Sequence, residues 1–226
     1  MIVNEIFYSL QGEGSLAGMP GVFVRLAGCS LRCRWCDTKY AWPLSAGQEL
    51  SGEQITERIA SYPTRHIVIT GGEPMTNPEL KVLLETLAGK ERHITIETSG
   101  IEYIPDLPCD LMSISPKLSN STPVEPALAA EHEKLRFDLC ALQKLIDSFN
   151  YQLKFVVDVP EDVDEIAQCL EKLNNINPDK VFLMPQATTP AELLAKSKML
   201  APVCERTGFA LSQRLQVLLF NNEKGR

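Results

Sequence analysis

Residues 28 to 37 read GCSLRCRWCD and place Cys29, Cys33 and Cys36 in a C-x3-C-x2-C pattern. Thiolates bind soft or borderline metals, so three cysteines at this spacing predict either a zinc site or an iron–sulfur cluster. The chain has seven cysteines. The other four are widely separated, which argues against a disulfide framework and is typical of a protein with reduced thiols.

The number of sulfur ligands favours the cluster over zinc. A structural zinc ion takes four closed ligands, and the fourth would have to come from a distant residue: Cys109, His66, His93 or His132. A 4Fe-4S cluster held by only three cysteines leaves one iron open to an external ligand. The residues alone leave a zinc-stabilised binding module as an alternative.

Short β-branched runs alternate with stretches of helical spacing along the rest of the chain. The predicted strands are 22–26, 66–70, 93–97, 111–115, 153–158 and 180–184. The predicted helices are 51–61, 77–89, 134–149, 160–173 and 190–207, and the Pro- and Ser-rich segment 117–133 is predicted to be a surface loop. Strands that alternate with helices predict an α/β fold with a parallel sheet.

Four of these strands end in small or polar residues, in the sequences GGEP, TSG, PK and PQ. The carboxyl ends of strands form the active face in barrel-like α/β proteins, so we expect these junctions to share one cleft. About six parallel strands are too few for a closed eight-stranded barrel. The sequence therefore predicts an incomplete (β/α) barrel, with residues 1–226 as a single domain and the cysteine loop at 27–42.

Charge and hydrophobicity limit the classes of partner that the sequence predicts. The 226 residues carry a formal net charge of -7, which argues against a nucleic-acid partner. The sequence shows no secretory signal pattern and no run of 18 apolar residues, so no membrane segment is predicted and a cytoplasmic location is expected.

The segment CSLRCRWC, with Trp35 before the last cysteine, and the sequence GGEP at 71–74 resemble the motifs of the radical S-adenosylmethionine (radical SAM) superfamily. The resemblance implies a 4Fe-4S cluster whose open iron is chelated by S-adenosylmethionine, and reductive formation of a 5'-deoxyadenosyl radical. It also implies that Gly72 helps to hold the methionyl amino group. From the residues alone, Glu73 is interpreted as a solvated charge or as the cap of the helix predicted from Asn77.

A narrower resemblance rests on six motifs in order: LQGEG, FVRLAGC, CDTKYAW, ITGGEP, IETSG and SPK. Together they resemble the 7-carboxy-7-deazaguanine synthase family of carbon–nitrogen lyases, which serves queuosine and related 7-deazapurine biosynthesis. The resemblance implies conversion of 6-carboxy-5,6,7,8-tetrahydropterin to 7-carboxy-7-deazaguanine with release of ammonia. It further implies Mg2+, a homodimer and an electron donor such as flavodoxin or ferredoxin. A glycyl-radical-enzyme activase, which has the same cysteine spacing, is the alternative within the superfamily.

The resemblance also assigns the site. It implies that the substrate contacts Leu10, Gln11, Gly12, Arg25 and Thr70, with Arg25 as a bidentate clamp for the carboxylate. It implies that S-adenosylmethionine contacts Trp35, Cys36, Asp37, Gly72, Ser115, Pro116, Lys117 and Gln186, and that Thr38 ligates Mg2+. No protein group is assigned as catalytic, because the radical is derived from the cofactor.

The residues alone suggest other roles for two of these side chains and for one neighbouring acid. Arg25 is equally compatible with an ion pair to a local acid, and Thr38 with a helix or turn cap. Glu97 points into the same cleft or pairs with Lys117. The chain also has Gln216 and Asn221 where the family commonly has His and Gly. The resemblance therefore does not extend to a substrate contact made by this C-terminal stretch.

Overall fold

A computed structural model, which describes residues 1–89 and 91–225, contains one open nine-stranded sheet in the order β3-β1-β2-β4-β5-β6-β7-β8-β9. The strands are β1 (Ile2–Leu10), β2 (Pro20–Leu26), β3 (Gln48–Glu49), β4 (His66–Gly71), β5 (His93–Thr98), β6 (Leu111–Ile114), β7 (Tyr151–Val157), β8 (Val181–Pro185) and β9 (Ala210–Leu211). From β2 to β9 every neighbouring pair is parallel, whereas β1 is antiparallel to both β2 and β3. The described strands therefore form an incomplete barrel with two free edges, as predicted.

The helices are α1 (Gly52–Ala60), α2 (Leu80–Leu87), α3 (Pro126–Leu135), α4 (Leu139–Ser148), α5 (Asp162–Glu171), α6 (Pro190–Thr207) and α7 (Leu215–Phe220). Local sequence explains several of their ends. Ser51 and Gln54 form a capping box at α1, and Thr189 and Glu192 form one at α6. Helix α6 stops at Gly208, whose φ of 75° suits glycine best.

Successive side chains along the parallel strands point alternately to the hydrophobic core and to a cavity. In β7, Leu153 and Phe155 join the hydrophobic core, while Lys154 and Val156 line a cavity. Strand β5 alternates in the same way: Ile96 lies in the core and Glu97 lines the cavity. Each strand thus presents apolar side chains to one face and functional ones to the other.

Three sequence expectations differ from the structure. The segment 117–133 is not a surface loop throughout, because α3 begins at Pro126, a residue suited to the first turn of a helix. The helix expected over 134–149 is interrupted between α3 and α4, where Asp138 caps the new helix by accepting from the backbone N–H of Ala141. Strand β1 was not predicted, since its side chains are mostly half-buried and its sequence lacks clear alternation.

No helix in the described part of the chain is long and apolar enough to cross a membrane.

Candidate active site

Two adjoining cavities lie where the parallel strands end. The first, here the cysteine cavity, has a volume of about 170 Å³ and is lined by Cys29, Cys33 and Cys36. The second, here the arginine cavity, has a volume of about 200 Å³ and is lined by Arg25 and the loop after β1. The two share six lining residues: Glu13, Asp37, Thr38, Thr70, Gly71 and Glu97. They are therefore neighbouring compartments of one site.

The residues singled out by sequence fall into these compartments with one exception. The cysteine cavity is lined by Cys29, Cys33, Trp35, Cys36, Asp37, Thr38, Thr70, Gly72, Ser115, Lys117 and Gln186. The arginine cavity is lined by Leu10, Gln11, Gly12, Arg25, Asp37, Thr38 and Thr70. Pro116 is buried and is not among the lining residues of either cavity.

The three cysteine thiols are held in a protected loop. Cys33 is buried, and Cys29 and Cys36 are half-buried. Burial raises the pKa of Cys29 to about 12, with the nearby Glu73 adding to the effect. Burial also raises the pKa of Cys33 to about 11, although Lys117 opposes the shift. Binding of a metal group must therefore displace protons from these thiols.

The cysteine arrangement differs from a site for one ion. In residues 1–89 and 91–225, no three His, Cys, Asp or Glu side chains are grouped so that they could hold a single metal ion. The three thiols line one cavity, which is what a cluster that distributes its ligands over separate irons requires.

The distant zinc ligands considered from sequence are placed elsewhere. His66 and His93 begin β4 and β5, and Cys109 precedes β6. All three therefore lie at the amino-terminal ends of the parallel strands, opposite the cysteines. His132 does approach the cysteine loop, but its Nδ1 accepts from the backbone N–H of Arg32 at 3.2 Å. Its Nε2 then carries the proton and donates to Ser121 Oγ at 2.8 Å. Both ring nitrogens of His132 are engaged in holding the loop.

The two glycines of GGEP let β4 end directly against the cysteine loop. A Cβ on Gly71 would lie 2.2 Å from the carbonyl oxygen of Leu26, and one on Gly72 would lie 2.0 Å from that of Gly28. In place of a side chain, the Gly72 N–H donates to Leu26 at 2.9 Å and the Glu73 N–H donates to Gly28 at 2.8 Å. Close backbone approach is thus the physical reason for glycine at both positions.

Glu73 is 2% exposed, so its interpretation as a solvated charge is wrong. Its carboxylate accepts hydrogen bonds from Thr98 Oγ1 at 2.6 Å, from the Ser99 N–H at 2.7 Å and from the Ser99 hydroxyl. It also accepts from the Met75 N–H at 3.1 Å, so it caps the short helix Pro74–Thr76 and not the helix that was expected from Asn77. Glu73 therefore fixes the turn after β5 beside the cysteine cavity.

A buried ion network forms the wall between the cavities. Glu13 accepts from Lys154 Nζ at 2.9 Å, from Gln216 Nε2 at 2.7 Å and from Arg214 Nε at 3.4 Å. Lys154 also lies 3.7 Å from Glu97. Burial alone would raise the pKa of Glu13, but Lys154 and Arg214 outweigh it and lower the pKa to about 2.

Sequence reasoning did not single out Glu13, Lys154 or Arg214. Lys154 offered a signal, because a lysine inside the fully buried strand YQLKFVV requires a partner. Arg214 offered none, since its partners Glu13 and Asp37 are distant in sequence.

Arg25 pairs with a local acid, as the residues alone allowed. Its Nε donates to Glu5 at 2.7 Å, and Tyr40 donates to the same carboxylate oxygen at 2.9 Å. The guanidinium lies 5.4 Å from the centre of the Phe7 ring. The carboxylate of Glu5 thus balances the charge of Arg25.

The other alternative roles are wrong. Glu97 pairs with Lys154 and accepts from Gln11 at 3.1 Å, rather than pairing with Lys117. Thr38 precedes the short helix Lys39–Ala41 without capping it, and its hydroxyl instead lies 3.5 Å from the sulfur of Cys36. The Thr38 side chain thus lies at the junction of the two cavities.

The segment after β9 completes the arginine cavity. Gln216 lines it, together with residues 222–225, whereas Asn221 caps α7 and is not among the lining residues. A Cβ on Gly12 would lie 1.8 Å from Gln216 Oε1, so glycine at this position makes room for the Gln216 carboxamide.

Comparison with known proteins agrees with this arrangement. Residues 24–184 match the model of the radical SAM superfamily. The chain is 41% identical to the 7-carboxy-7-deazaguanine synthase of Halobacterium salinarum, over 97% of this chain and 90% of the relative. It is 38% identical to the enzyme of the same name from Rhodopirellula baltica, over 100% of this chain and 88% of that relative. The crystal structure of QueE from Escherichia coli superposes with a TM-score of 0.73 at 26% identity, covering 93% of this chain and 92% of that one.

Proposed function

The chain belongs to the radical SAM superfamily and, within it, to the 7-carboxy-7-deazaguanine synthase family, and we propose on that premise that it converts 6-carboxy-5,6,7,8-tetrahydropterin to 7-carboxy-7-deazaguanine with release of ammonia. The observation that carries the proposal is the pair of adjoining cavities. One holds three cysteines at the family spacing, and the other holds an arginine and a polar loop suited to a flat acid.

The cofactors are a 4Fe-4S cluster and S-adenosylmethionine. When bound, they supply a carbon-centred radical for hydrogen abstraction. The three thiols fit the cluster because they line one protected cavity, and Cys29, Cys33 and Cys36 would hold it. Trp35, Asp37, Gly72, Ser115, Lys117 and Gln186 line the space for S-adenosylmethionine, with Pro116 supporting that wall from a buried position.

The arginine cavity would bind the pterin. Leu10, Gln11 and Gly12 offer backbone groups beside Thr70, and the Arg25 guanidinium is available for the substrate carboxylate. The shared wall carries the carboxylates of Glu13 and Glu97, which accept hydrogen bonds from N–H groups such as those of a reduced pterin. The role of this chain is to orient the acid and to exclude water from the reacting carbon.

Charge balance supports Mg2+ at Thr38. Glu5 already neutralises Arg25, so a substrate carboxylate bound beside Arg25 adds a negative charge that a further cation would balance. The Thr38 hydroxyl lies at the junction of the two cavities and caps no helix, which suits a hard cation that uses few protein oxygens and keeps waters.

The remaining attributes of the protein are part of the same proposal. Residues 1–226 act as one radical SAM domain, in the cytoplasm, where the described cysteines stay reduced. The enzyme works with an external reductant, which we take to be a flavodoxin or ferredoxin, and assembles as a homodimer.

The test is anaerobic reconstitution followed by reaction with dithionite, S-adenosylmethionine and the pterin acid. We expect brown protein with about four irons per chain and a product with the mass of 7-carboxy-7-deazaguanine. Cys33→Ala should lose iron and product, whereas Cys140→Ala, on the exposed side of α4, should retain both.

Two results would decide for the alternatives. Abundant 5'-deoxyadenosine without the deazaguanine would reject the pterin substrate and favour a different radical reaction, such as activation of a partner protein. Stoichiometric zinc in colourless protein would reject the whole assignment.

A further inference from the structure

The segment that carries the cysteines is basic on an otherwise acidic protein. Residues 29–45 contain three basic residues and one acid, whereas the whole chain has 22 basic and 29 acidic residues. The one acid, Asp37, is paired with Arg214 at 2.7 Å. This segment therefore carries a net positive charge on a molecule of net charge -7.

Two of its cations flank a single aromatic ring. The Arg32 guanidinium lies 5.2 Å and the Lys39 ammonium 5.8 Å from the centre of the Trp42 ring. Within residues 1–89 and 91–225, neither cation makes an ion pair with a carboxylate, whereas Arg34 pairs with Asp158. Arg32 and Lys39 thus keep their charge available for a partner.

Arg32 and Trp42 are in direct contact with the first cysteine, Cys29. The backbone N–H of Cys29 donates to the Trp42 carbonyl at 3.2 Å, and the Arg32 guanidinium donates to the Cys29 and Leu31 carbonyls. Trp42 itself lines the cysteine cavity.

An exposed apolar side chain completes the surface. Leu44 is 63% exposed and packs beside Gly28, the residue before the first cysteine. We call the surface formed by Arg32, Lys39, Trp42 and Leu44 the donor patch. Small interfaces of weak electron-transfer complexes combine such an apolar centre with a charged rim.

We propose that the donor patch is the docking site for an acidic one-electron carrier protein that reduces the cluster. This inference rests on the proposed function, because the cluster has to be reduced before the cofactor reacts. Electrostatics supplies the orientation: the net charge of -7 disfavours approach of an acidic carrier elsewhere, whereas Arg32 and Lys39 attract it next to the cysteine loop.

The first test compares two reductants on the reconstituted enzyme. A charge reversal at Lys39 (Lys39→Glu) should slow product formation driven by reduced flavodoxin about tenfold at low salt, while turnover driven by dithionite stays unchanged. The matched control is Lys172→Glu, an exposed lysine at the end of α5, on the side of the sheet away from the cysteines. Raising the salt concentration should remove the difference between Lys39→Glu and the unaltered enzyme, because exposed charges are screened.

A second measurement does not depend on a variant. Zero-length carbodiimide cross-linking of the reconstituted enzyme to flavodoxin should join carboxylates of the carrier to Lys39, as mapped by mass spectrometry. Cross-links confined to other lysines, or equal flavodoxin-driven rates for Lys39→Glu and Lys172→Glu, would overturn the donor patch. Absence of product with dithionite in the unaltered enzyme would instead refute the proposed function, so the two failures are distinguishable.

Discussion

The Arg214 guanidinium donates to the Asp37 carboxylate at 2.7 Å, although 177 residues separate them in the chain. Asp37 follows Cys36 directly, so this bond ties the segment after β9 to the cysteine loop. The same guanidinium reaches Glu13 and the Ala187 carbonyl, which makes Arg214 the link between three loops around the site.

Replacement of Arg214 by glutamine should therefore destabilise the protein. The largely buried Glu13 and the more exposed Asp37 both lose a cation, and we expect the free energy of unfolding to fall by about 3 kcal/mol. Chemical denaturation of the metal-free protein measures the change. Arg206→Gln, in the exposed last turn of α6, is the control and should change stability by no more than about 0.5 kcal/mol. Equal effects of the two substitutions would show that Arg214 links nothing.

Lys154→Met should make stability more sensitive to acid. The pKa of Glu13 is lowered from 4.5 to about 2, so its contribution to stability is complete above about pH 4.5 and is lost as the pH falls towards 2. Without Lys154 the pKa of Glu13 rises, and the loss begins at higher pH. Unfolding measured over a pH series detects this shift. The double variant Lys154→Met with Glu13→Gln should recover part of the stability; no recovery would assign the damage to packing instead.

Gly72→Ala should dislodge the cysteine loop. The added Cβ would lie 2.0 Å from the Gly28 carbonyl oxygen, a backbone atom that moves only with the loop. We expect loss of most of the iron after reconstitution, measured together with sulfide. Gly52→Ala is the control, since nothing lies within 4 Å of its added Cβ, at the start of α1. Full iron content in Gly72→Ala would show that the close approach is not needed.

His132 makes loop stability depend on pH near neutrality. Burial, together with the cations Arg136 and Lys117, lowers the pKa of His132 below 6.5, against the opposing effect of Glu133. A histidine with a lowered folded-state pKa gives its full contribution above the unfolded value, and stability falls as the pH drops through about 6.5. In His132→Gln this part of the dependence should disappear, as measured by unfolding between pH 5 and 8. An unchanged pH profile would contradict the role of its ring nitrogens.

Local signals made much of the fold and half of the site predictable. Six strands were identified from β-branched runs, and helix α6 from its Pro190 start and its length, because these signals are contained in a few adjacent residues. The cysteine loop and GGEP were recognisable for the same reason. Helix α3 was missed because prolines and serines around it are typical of loops, although Pro126 suits a first helical turn.

The ion network was not predictable, because it depends on which loops meet in three dimensions. Glu13 is 141 residues from Lys154 and 201 from Arg214 in the sequence. The ion pair between Arg25 and Glu5 was not predictable for a related reason. It depends on the pairing of β1 with β2, and β1 was not identified from the sequence.

The bond between the Leu215 N–H and the Gly12 carbonyl, at 3.0 Å, has a consequence for biosynthesis on the ribosome. The cysteine loop emerges early in translation, but the wall behind the arginine cavity stays absent until residues 214–216 have left the exit tunnel. A chain terminated before residue 214 can thus present its thiols without the compartment that confines radical chemistry, so the order of synthesis delays catalytic competence until residues 214–216 have been added.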